Sequence, residues 1–260
     1  LSLSTNEICV DGGLVNITSA ITNSVAVVAP AYSTNAPAAA LVGSQFDPSK
    51  AGVGTWTITY TPKAANGGCV GATVTQTIIV NPLPTPAITV APSNDVCEGT
   101  VVTLTATGGA TYQWYKNGTA LTGEISDKLT LSAATESGSY TVMAITAEGC
   151  DQLSAPEVIT IYPNPVASFT MPQGCSVAGD VFDASASRVN GGHTLTYVWD
   201  LGDGKGPLAP SATPTIAVPA YATAGPKTIT LTVTSSGNGC SATTTATYQY
   251  NGTVPVAAFT

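Results

Sequence analysis

The stretch Lys227-Thr228-Ile229-Thr230-Leu231-Thr232-Val233 decides the fold of this 260-residue chain. Threonine alternates with aliphatic residues, which is the period of a β-strand whose apolar side chains face inward and whose threonines face outward. The same period runs through Thr55-Trp56-Thr57-Ile58-Thr59-Tyr60. Ala36 to Leu41 is the one helical candidate, and Pro37 limits it to a turn at most. The sequence therefore predicts an all-β protein.

Six cysteines divide the chain into three repeats. The first cysteine of each repeat precedes a strand-like run, and the second follows a glycine in Gly68-Cys69, Gly149-Cys150 and Gly239-Cys240. A β run that ends in proline comes about ten residues later, and prolines favour extended linkers. Short strands with frequent turns predict β-sandwiches, at 1–82, 83–163 and 164–252. We expect one disulfide in each, pairing the cysteines consecutively as Cys9–Cys69, Cys97–Cys150 and Cys175–Cys240.

The cysteines also predict a location and a mechanical role. An even number without a CxxC motif indicates disulfides, and hence an oxidising compartment outside the cytoplasm. We expect each disulfide to connect the end of a domain's first strand to the start of its last strand. Tension on a tandem array loads those two strands, so such disulfides would clamp each domain against stretching and proteolysis.

Composition excludes several partners. The chain carries only 7 Lys and Arg against 15 Asp and Glu, and its net charge is −8. Phosphate binding needs a cluster of basic residues, so nucleic acid is excluded as a partner. No run of 18 apolar residues exists, which predicts that no segment inserts into a membrane. The chain begins without an initiator methionine or a basic-then-apolar leader, so we expect a mature chain or an excised piece.

The middle repeat resembles an immunoglobulin-like domain. Tyr112-Gln113-Trp114-Tyr115-Lys116-Asn117-Gly118 resembles that family's central strand with its buried tryptophan. In antibody-type domains the two cysteines cross the core from strands B and F. Here Ala106 and Val142 stand at those places, so Cys97 and Cys150 are expected outside the core.

The third repeat resembles a PKD domain, which is another β-sandwich. The resemblance is carried by Phe182-Asp183-Ala184-Ser185-Ala186-Ser187 and Tyr197-Val198-Trp199-Asp200-Leu201-Gly202-Asp203-Gly204. Some PKD domains bind calcium, but the acidic segment that often follows the first motif is replaced here by residues 188–192. The alternative is that Asp200 and Asp203 hold the glycine turn by hydrogen bonds to its backbone. The calcium candidates are Asp180, Asp183, Asp200 and Asp203.

The first repeat resembles repeats in large surface proteins of Bacteroidota. The resemblance runs from Phe46 to Tyr60 and includes Gly68-Cys69. These proteins include gliding-motility adhesins exported by the type IX secretion system, and similar arrays act as spacers in secreted polysaccharide-degrading enzymes. The resemblance implies export and a place at the bacterial cell surface.

The chain lacks the patterns of an enzyme. Its single histidine, His193, stands in the turn Asn190-Gly191-Gly192-His193, and no second histidine exists to share a metal. Neither a nucleophile elbow nor a phosphate-binding loop occurs in a useful context. We expect no catalytic residues and no cofactor except, as an alternative, calcium. The three tryptophans are expected in the cores, and Tyr248 and Tyr250 on an exposed patch or at a domain junction.

The leading prediction is a structural and adhesive segment of a bacterial extracellular fibre or adhesin. Its partners would be further repeats of the same chain or other copies of itself. One alternative is an accessory spacer of a secreted glycan-active enzyme, whose partner would be a surface glycan. Another is a filament subunit joined by strand addition. Its motivation is that residues 253–260 match residues 163–170. We expect residues 253–260 to be either the first strand of a following domain or an overhang, and the assembly candidates are Val254, Val256, Ala258 and Phe259.

Overall fold

The computed structural model describes residues 1–18, 31–62, 72–172 and 178–252. The described chain is built from short β-strands, and its few helical segments are single turns. None of the helices in these ranges is long and apolar enough to cross a membrane. The predicted all-β class is therefore confirmed.

The described part of residues 1–82 contains eight strands and two helical turns. The turns are a 3-10 helix at Ala38–Ala40 and a helix, α1, at Pro48–Ala51. The strands are β1 Ser2–Leu3, β2 Glu7–Cys9, β3 Val15–Thr18, β4 Ala31–Thr34, β5 Leu41–Val42, β6 Gln45–Phe46, β7 Gly54–Thr61 and β8 Val74–Asn81. They make two four-stranded sheets, in the orders β1-β3-β6-β5 and β2-β8-β7-β4.

Residues 83–163 continue with nine strands and a 3-10 turn at Ala134–Glu136. The strands are β9 Ala87–Ala91, β10 Asp95–Cys97, β11 Val102–Thr107, β12 Thr111–Lys116, β13 Thr119–Ala120, β14 Lys128–Leu131, β15 Gly138–Ile145, β16 Asp151–Leu153 and β17 Glu157–Tyr162. Their sheets have the orders β14-β11-β9 and β10-β17-β15-β12-β13, with β16 paired to β15.

The remaining strands belong to the third repeat. They are β18 Val181–Asp183, β19 Leu195–Asp200, β20 Thr215–Ala217, β21 Gly225–Ser235 and β22 Ser241–Tyr250. They make a two-stranded sheet, β18-β20, and a three-stranded sheet, β19-β21-β22. The diagnostic stretch 227–233 lies in β21, where Ile229, Leu231 and Val233 are fully buried, as the alternation predicts.

The buried side chains form separate apolar cores. The core of residues 1–82 includes Val15, Ile17, Phe46, Ile58, Ile78 and Val80. The core of the third repeat is richer in aromatic residues, with Phe182, Trp199, Tyr221, Tyr248 and Tyr250 around the inward residues of β21. The interpretation of Tyr248 and Tyr250 as an exposed patch is therefore wrong. The Tyr248 ring meets Phe182 edge-on at 4.9 Å, and Tyr250 meets Tyr221 at 5.0 Å.

The turn expected near Pro37 is present, whereas α1 was not predicted. Its beginning is explained by Asp47, whose side chain accepts hydrogen bonds from the backbone N–H of Ser49 at 3.0 Å and from its hydroxyl at 2.6 Å. Proline follows Asp47 at the first helical position, where its missing N–H costs nothing. An acidic N-cap followed by proline is the sequence signal that identifies this turn.

By spatial proximity the chain divides into two compact units. One comprises Leu1–Val90, Thr103–Leu129 and Ser139–Val158, and the other comprises Ala91–Val102, Thr130–Gly138 and Ile159–Thr260. Each unit contains one described disulfide. The three boundaries inferred from the sequence remain predictions.

Candidate functional site

Two disulfides are present among the described residues, and both connect consecutive sequence repeats. Cys9 is bonded to Cys150, and Cys97 is bonded to Cys240. Both pairs have Cα atoms 5.5 Å apart, and they close loops with sequence separations of 141 and 143 residues. We call Cys9–Cys150 with its surrounding backbone the first joint, and Cys97–Cys240 with its surrounding backbone the second joint.

The expected disulfide inside each repeat is therefore wrong. Cys9 and Cys150 are bonded to each other, which excludes the predicted pairs Cys9–Cys69 and Cys97–Cys150. Cys240 is bonded to Cys97, which excludes Cys175–Cys240. Cys69 and Cys175 themselves lie outside the described residues.

The predicted pairing of Cys9 with Cys69 fails because of the direction of the short strand β2. β2 runs parallel to β8, and Cys9 stands opposite Asn81, the last residue of β8. The end of β2 therefore lies beside the end of β8, the last strand of this repeat, and not beside its start. Val74, where the eight-residue β8 begins, is about 24 Å away along the strand. A disulfide requires Cα atoms within about 7 Å.

The first cysteine of each joint is held by the same backbone frame. At Cys9, the N–H of Val10 donates to the carbonyl of Asn81 at 2.9 Å, and the N–H of Gly12 donates to the carbonyl of Cys9 at 2.9 Å. The N–H of Ile79 donates to the carbonyl of Asn6 at 2.9 Å. Three hydrogen bonds thus fix the strand on either side of the cysteine and turn the chain immediately after it.

The frame recurs around Cys97 at equivalent positions. β10 runs parallel to β17, and Cys97 stands opposite Tyr162, the last residue of β17. The N–H of Glu98 donates to the carbonyl of Tyr162 at 2.8 Å, and that of Thr100 to the carbonyl of Cys97 at 3.0 Å. The N–H of Thr160 donates to the carbonyl of Asn94 at 2.7 Å. The similar sequences Asn6-Glu7-Ile8-Cys9 and Asn94-Asp95-Val96-Cys97 therefore build the same geometry around the cysteine.

The second cysteine of each joint lies in a hairpin turn and is fully buried. Cys150 lies between β15 and β16, where its carbonyl accepts from the N–H of Thr146 at 2.8 Å and its N–H donates to the Thr146 hydroxyl at 3.2 Å. Cys240 lies between β21 and β22, and its carbonyl accepts from Ser235 at 2.8 Å. Their exposed fractions are 0% and 1%.

A glycine precedes each of these hairpin cysteines for a conformational reason. Gly149 has a φ of 87° and Gly239 a φ of 74°. Only glycine adopts this left-handed region without a steric cost, and a turn of this hand lets the chain reverse in a few residues. The Gly-Cys dipeptide is thus the signature of the hairpin half of a joint.

Polar side chains brace the strand ends beside the first cysteines. The amide of Asn81 donates to the carboxylate of Glu7 at 3.0 Å in the first joint. In the second joint, the carboxylate of Glu98 accepts from the N–H of Ala134 at 3.3 Å, and its carbonyl accepts from the amide of Asn164 at 3.0 Å. Asn81 directly precedes the first proline linker and Asn164 lies within the second, so these contacts fix the position of the chain at each linker.

The carboxylates proposed for calcium have local backbone partners. Asp183 accepts from the N–H of Ser185 at 2.8 Å, Asp200 from that of Gly202 at 3.0 Å, and Asp203 from that of Lys205 at 3.0 Å. The hydrogen bond from Ser185 lowers the pKa of Asp183, and the one from Lys205 lowers the pKa of Asp203. Their carboxylates stabilise local turns by these hydrogen bonds to the backbone.

The remaining calcium candidate, Asp180, accepts from the N–H of Val218 through its backbone carbonyl at 2.6 Å. Among the described residues, no three His, Cys, Asp or Glu side chains are close enough to hold a metal ion. Calcium binding stays a prediction.

The aromatic side chains that a glycan would require are turned inward. Trp114 is fully buried and Trp199 is 2% exposed. Trp56 is half-buried against the first core and donates its indole N–H to the carbonyl of Gly52 at 2.9 Å. His193 is exposed and packs against the Gly237 backbone in a turn.

The assembly candidates Val254, Val256, Ala258 and Phe259 lie outside the described residues. The matching segment of the third repeat is described. Val166 and Thr170 exchange backbone hydrogen bonds with Arg188 and Asp183, respectively. Phe169 packs edge-on against Trp199 at 5.2 Å. The sequence pattern shared with residues 253–260 thus pairs, where it is seen, with the third repeat through isolated antiparallel bridges.

Comparison with known proteins identifies two domain types. Residues 84–163 match the family model described as "Ig-like domain CHU_C associated", and residues 162–250 match that of the PKD domain. Among curated proteins no match to the chain is found.

Several solved structures resemble the chain at low identity. Three N-terminal domains of the bacteriophage RB49 Highly Immunogenic Outer Capsid protein share 19% identity at a TM-score of 0.32, with 64% of this chain and 59% of that chain covered. The eight N-terminal Ig domains of Down Syndrome Cell Adhesion Molecule share 14% identity at a TM-score of 0.48, with 96% and 36% covered. Extracellular domains 3–5 of Drosophila OTK share 14% identity at 0.40, with 78% and 72% covered. The chain thus spans less than two thirds of the first two.

The family matches and the observed strands both indicate β-sandwich domains. An Ig-like domain is followed by a PKD domain, both are β-sandwich types, and the described cysteines are disulfide-bonded. Such domains support a non-catalytic structural or adhesive role outside the cell. The chain is an all-β protein in which residues 84–163 match an Ig-like domain and residues 162–250 match a PKD domain.

Proposed function

We propose that this chain is a structural segment of a bacterial extracellular surface fibre or adhesin, in which disulfides fasten each sandwich to the next. The observation that carries the proposal is that both described disulfides connect consecutive repeats at the same structural positions. A disulfide whose purpose is to stabilise one small core would join two parts of that core. These disulfides instead secure the connection between repeats.

Such a connection reduces the tension that the proline linkers carry. Without the joints, tension along the array would pass only through the backbone of Pro82–Pro86 and Pro163–Pro165. With the joints, Cys9–Cys150 and Cys97–Cys240 provide a second covalent route past each linker. A cut in one linker leaves the array in one piece, which suits a fibre exposed to shear and to proteases.

The composition and the domain types support the same proposal. Disulfides persist in oxidising surroundings such as the cell exterior. Only 8% of the residues are charged and 7 are Lys or Arg, so few sites exist for trypsin-like proteases. The Ig-like family that matches residues 84–163 is described as CHU_C associated, which accords with a Bacteroidota surface protein. We include export by the type IX system in the proposal on the strength of the resemblance of residues 46–69.

A linker cut tests the structural part of the proposal. A protease recognition sequence is inserted between Leu83 and Pro84 of a chain that carries Cys69→Ser/Cys175→Ser, so that these two cysteines cannot hold the halves together. The cleaved protein is run on gels with and without reductant. We expect one full-length species without reductant and two fragments with it. The double variant Cys9→Ser/Cys150→Ser is the matched control and should separate into two fragments in both conditions. Separation of the unreduced parent chain would contradict the proposal.

Immunoelectron microscopy tests the surface location and separates the rival functions. Antibody against the 260-residue segment should place gold particles along projections on intact, unpermeabilised cells. Label confined to the cell interior would refute a surface fibre. Retardation of the isolated protein by a polysaccharide in affinity electrophoresis, without labelled projections, would instead identify an accessory module of a glycan-active enzyme.

A further inference from the structure

Asn-Gly dipeptides recur along the chain, and each is a place where asparagine can be converted chemically. The backbone nitrogen of the following residue can attack the asparagine side-chain carbonyl, and glycine has no side chain to obstruct that attack. The dipeptides are Asn66-Gly67, Asn117-Gly118, Asn190-Gly191, Asn238-Gly239 and Asn251-Gly252. The first lies outside the described residues, and the structure distinguishes the other four.

Two of these asparagines are restrained by hydrogen bonds. The Oδ1 atom of Asn117 accepts from the backbone N–H of Ser139 at 2.9 Å, and that of Asn238 accepts from the N–H of Cys240 at 3.1 Å. The attacking nitrogen beside Asn238 is occupied as well, because the N–H of Gly239 donates to a carbonyl of the same hairpin at 3.0 Å. Attack at either asparagine would break these hydrogen bonds, so both side chains are protected.

Asn190 lies in a turn that leaves its side chain unrestrained. Arg188 exchanges two backbone hydrogen bonds with Val166 before the turn, and the carbonyl of Thr194 accepts from Ser236 after it. Between these anchors Asn190 is exposed, and its side chain makes no hydrogen bond to another described residue. The next two residues are exposed glycines with φ values of 85° and 74°. No Cβ therefore hinders the attacking nitrogen.

The only histidine of the chain lies against this turn. One edge of the His193 ring, at Nε2 and Cδ2, is 3.5 Å from the position that a Cβ on Gly191 would occupy. The opposite edge, at Nδ1 and Cε1, packs so closely against Gly237 that a Cβ there would have no room. Two glycines thus hold the imidazole beside the backbone of Gly191. Imidazole is the side chain that most often accepts and donates protons in catalysis.

We propose that Asn190 is a self-modification site, at which the Gly191 nitrogen attacks Asn190 and His193 transfers the proton. A bond forms between the Gly191 nitrogen and Asn190 Cγ, and the imidazole takes the proton from that nitrogen. The imidazole returns a proton to the leaving amino group, which departs as ammonia and leaves a succinimide ring. One water molecule then opens the ring to aspartate or isoaspartate. Either product adds a negative charge to the turn, so the turn records the age of the segment.

Peptide mapping of the 260-residue protein after incubation in neutral buffer tests this inference. Each converted asparagine gains one mass unit, and labelling by an isoaspartyl methyltransferase detects the isoaspartate. Asn190 should convert about tenfold faster than Asn117 or Asn238. Asn251 is also exposed but follows no histidine-bearing turn, so it is the internal control for the imidazole.

His193→Gln separates proton transfer from a structural role of the ring. The variant should lose Asn190 about tenfold more slowly, with the rate at Asn251 unchanged and Asn238 still protected in the folded repeat. Imidazole added to the buffer should accelerate the conversion of Asn190 more in the variant than in the parent chain, because the parent already holds an imidazole at the site.

Three results would overturn the inference. The first is conversion of Asn117 or Asn238 as fast as that of Asn190. The second is an equal rate at Asn190 in the parent chain and in His193→Gln. The third is equal acceleration of both proteins by imidazole. The site lies in one turn of the third repeat and involves no cysteine, so these results would leave the linker-cut test of the proposed function unaffected.

Discussion

Removing one disulfide should release much less chain under force than its loop contains. Cys97 lies inside the loop that Cys9–Cys150 closes, and Cys150 lies inside the loop that Cys97–Cys240 closes, so the two loops overlap. When one disulfide is absent, the other still bypasses most of the same residues. The perturbations are Cys9→Ser/Cys150→Ser and Cys97→Ser/Cys240→Ser, each made in a background of Cys69→Ser/Cys175→Ser.

The expected lengths come from the shortest covalent route between residues 1 and 260. With both disulfides the route runs from residue 1 to Cys9, across to Cys150, back to Cys97, across to Cys240 and on to residue 260. It covers roughly 80 residue steps, or about 290 Å when stretched at about 3.6 Å per residue. Removing either disulfide lengthens it by only about 130 Å, and removing the other then adds about 510 Å more.

Single-molecule force spectroscopy on the chain held at residues 1 and 260 measures these increments. The predicted pairing inside each repeat would give a different pattern, because only Cys97–Cys150 could form in this background. The first removal would then add the loop of that disulfide, about 190 Å, and the second removal would add nothing. That pattern, in whichever order the variants are combined, would refute the overlapping arrangement. The fully reduced parent chain is the control and should extend to about 930 Å.

Three further outcomes concern the PKD-type repeat. Gly202→Ala should destabilise it more than Gly204→Ala in urea unfolding: both glycines have positive φ, but only a Cβ at Gly202 would meet the carbonyl of Thr228, at 2.5 Å. Asp183→Asn should make the stability depend less on pH in acid. The lowered pKa of Asp183 means that its carboxylate contributes fully above pH of about 4, and that this contribution is lost as pH falls through the folded pKa. Burial raises the pKa of Tyr221 to about 12, so its neutral phenol should stabilise the fold below pH of about 10 and lose that effect as pH rises towards 12. Absorbance titration should show this ionisation in the parent chain and its absence in Tyr221→Phe.

The fold class and the inward-facing residues could be predicted because they depend on local alternation. In β21 each threonine is paired with an inward aliphatic residue, and two residues are the whole period of a strand. Ala106 and Val142 were expected in the core in place of cysteines, and their exposed fractions are 3% and 0%. Such positions require no knowledge of how distant segments meet.

The disulfide pairing could not be predicted from proximity along the chain. It depends on the direction of a three-residue strand, β2 or β10, relative to the last strand of the same repeat. An antiparallel strand would have placed Cys9 near the start of β8, as expected, whereas the parallel one places it at the end. One signal was present: the separations across repeats, 141 and 143, agree with each other better than the separations within repeats.

The burial of Tyr248 and Tyr250 could not be predicted for a related reason. They occupy alternate positions near the chain's end, where an exposed patch is the simple interpretation. The long hairpin of β21 and β22 carries them back over the third core, where Tyr248 faces Phe182. The decisive contact is between residues that are far apart in sequence, so local pattern could not reveal it.

The backbone frame around Cys9 and Cys97 has a consequence for how the protein matures. Two of the three hydrogen bonds around each of these cysteines form only when the last strand of its own repeat has paired, and the partner cysteine lies in a hairpin of the following repeat. We therefore expect each of these disulfides to form after its two neighbouring repeats have folded, so that the joints close one after another from the N-terminus.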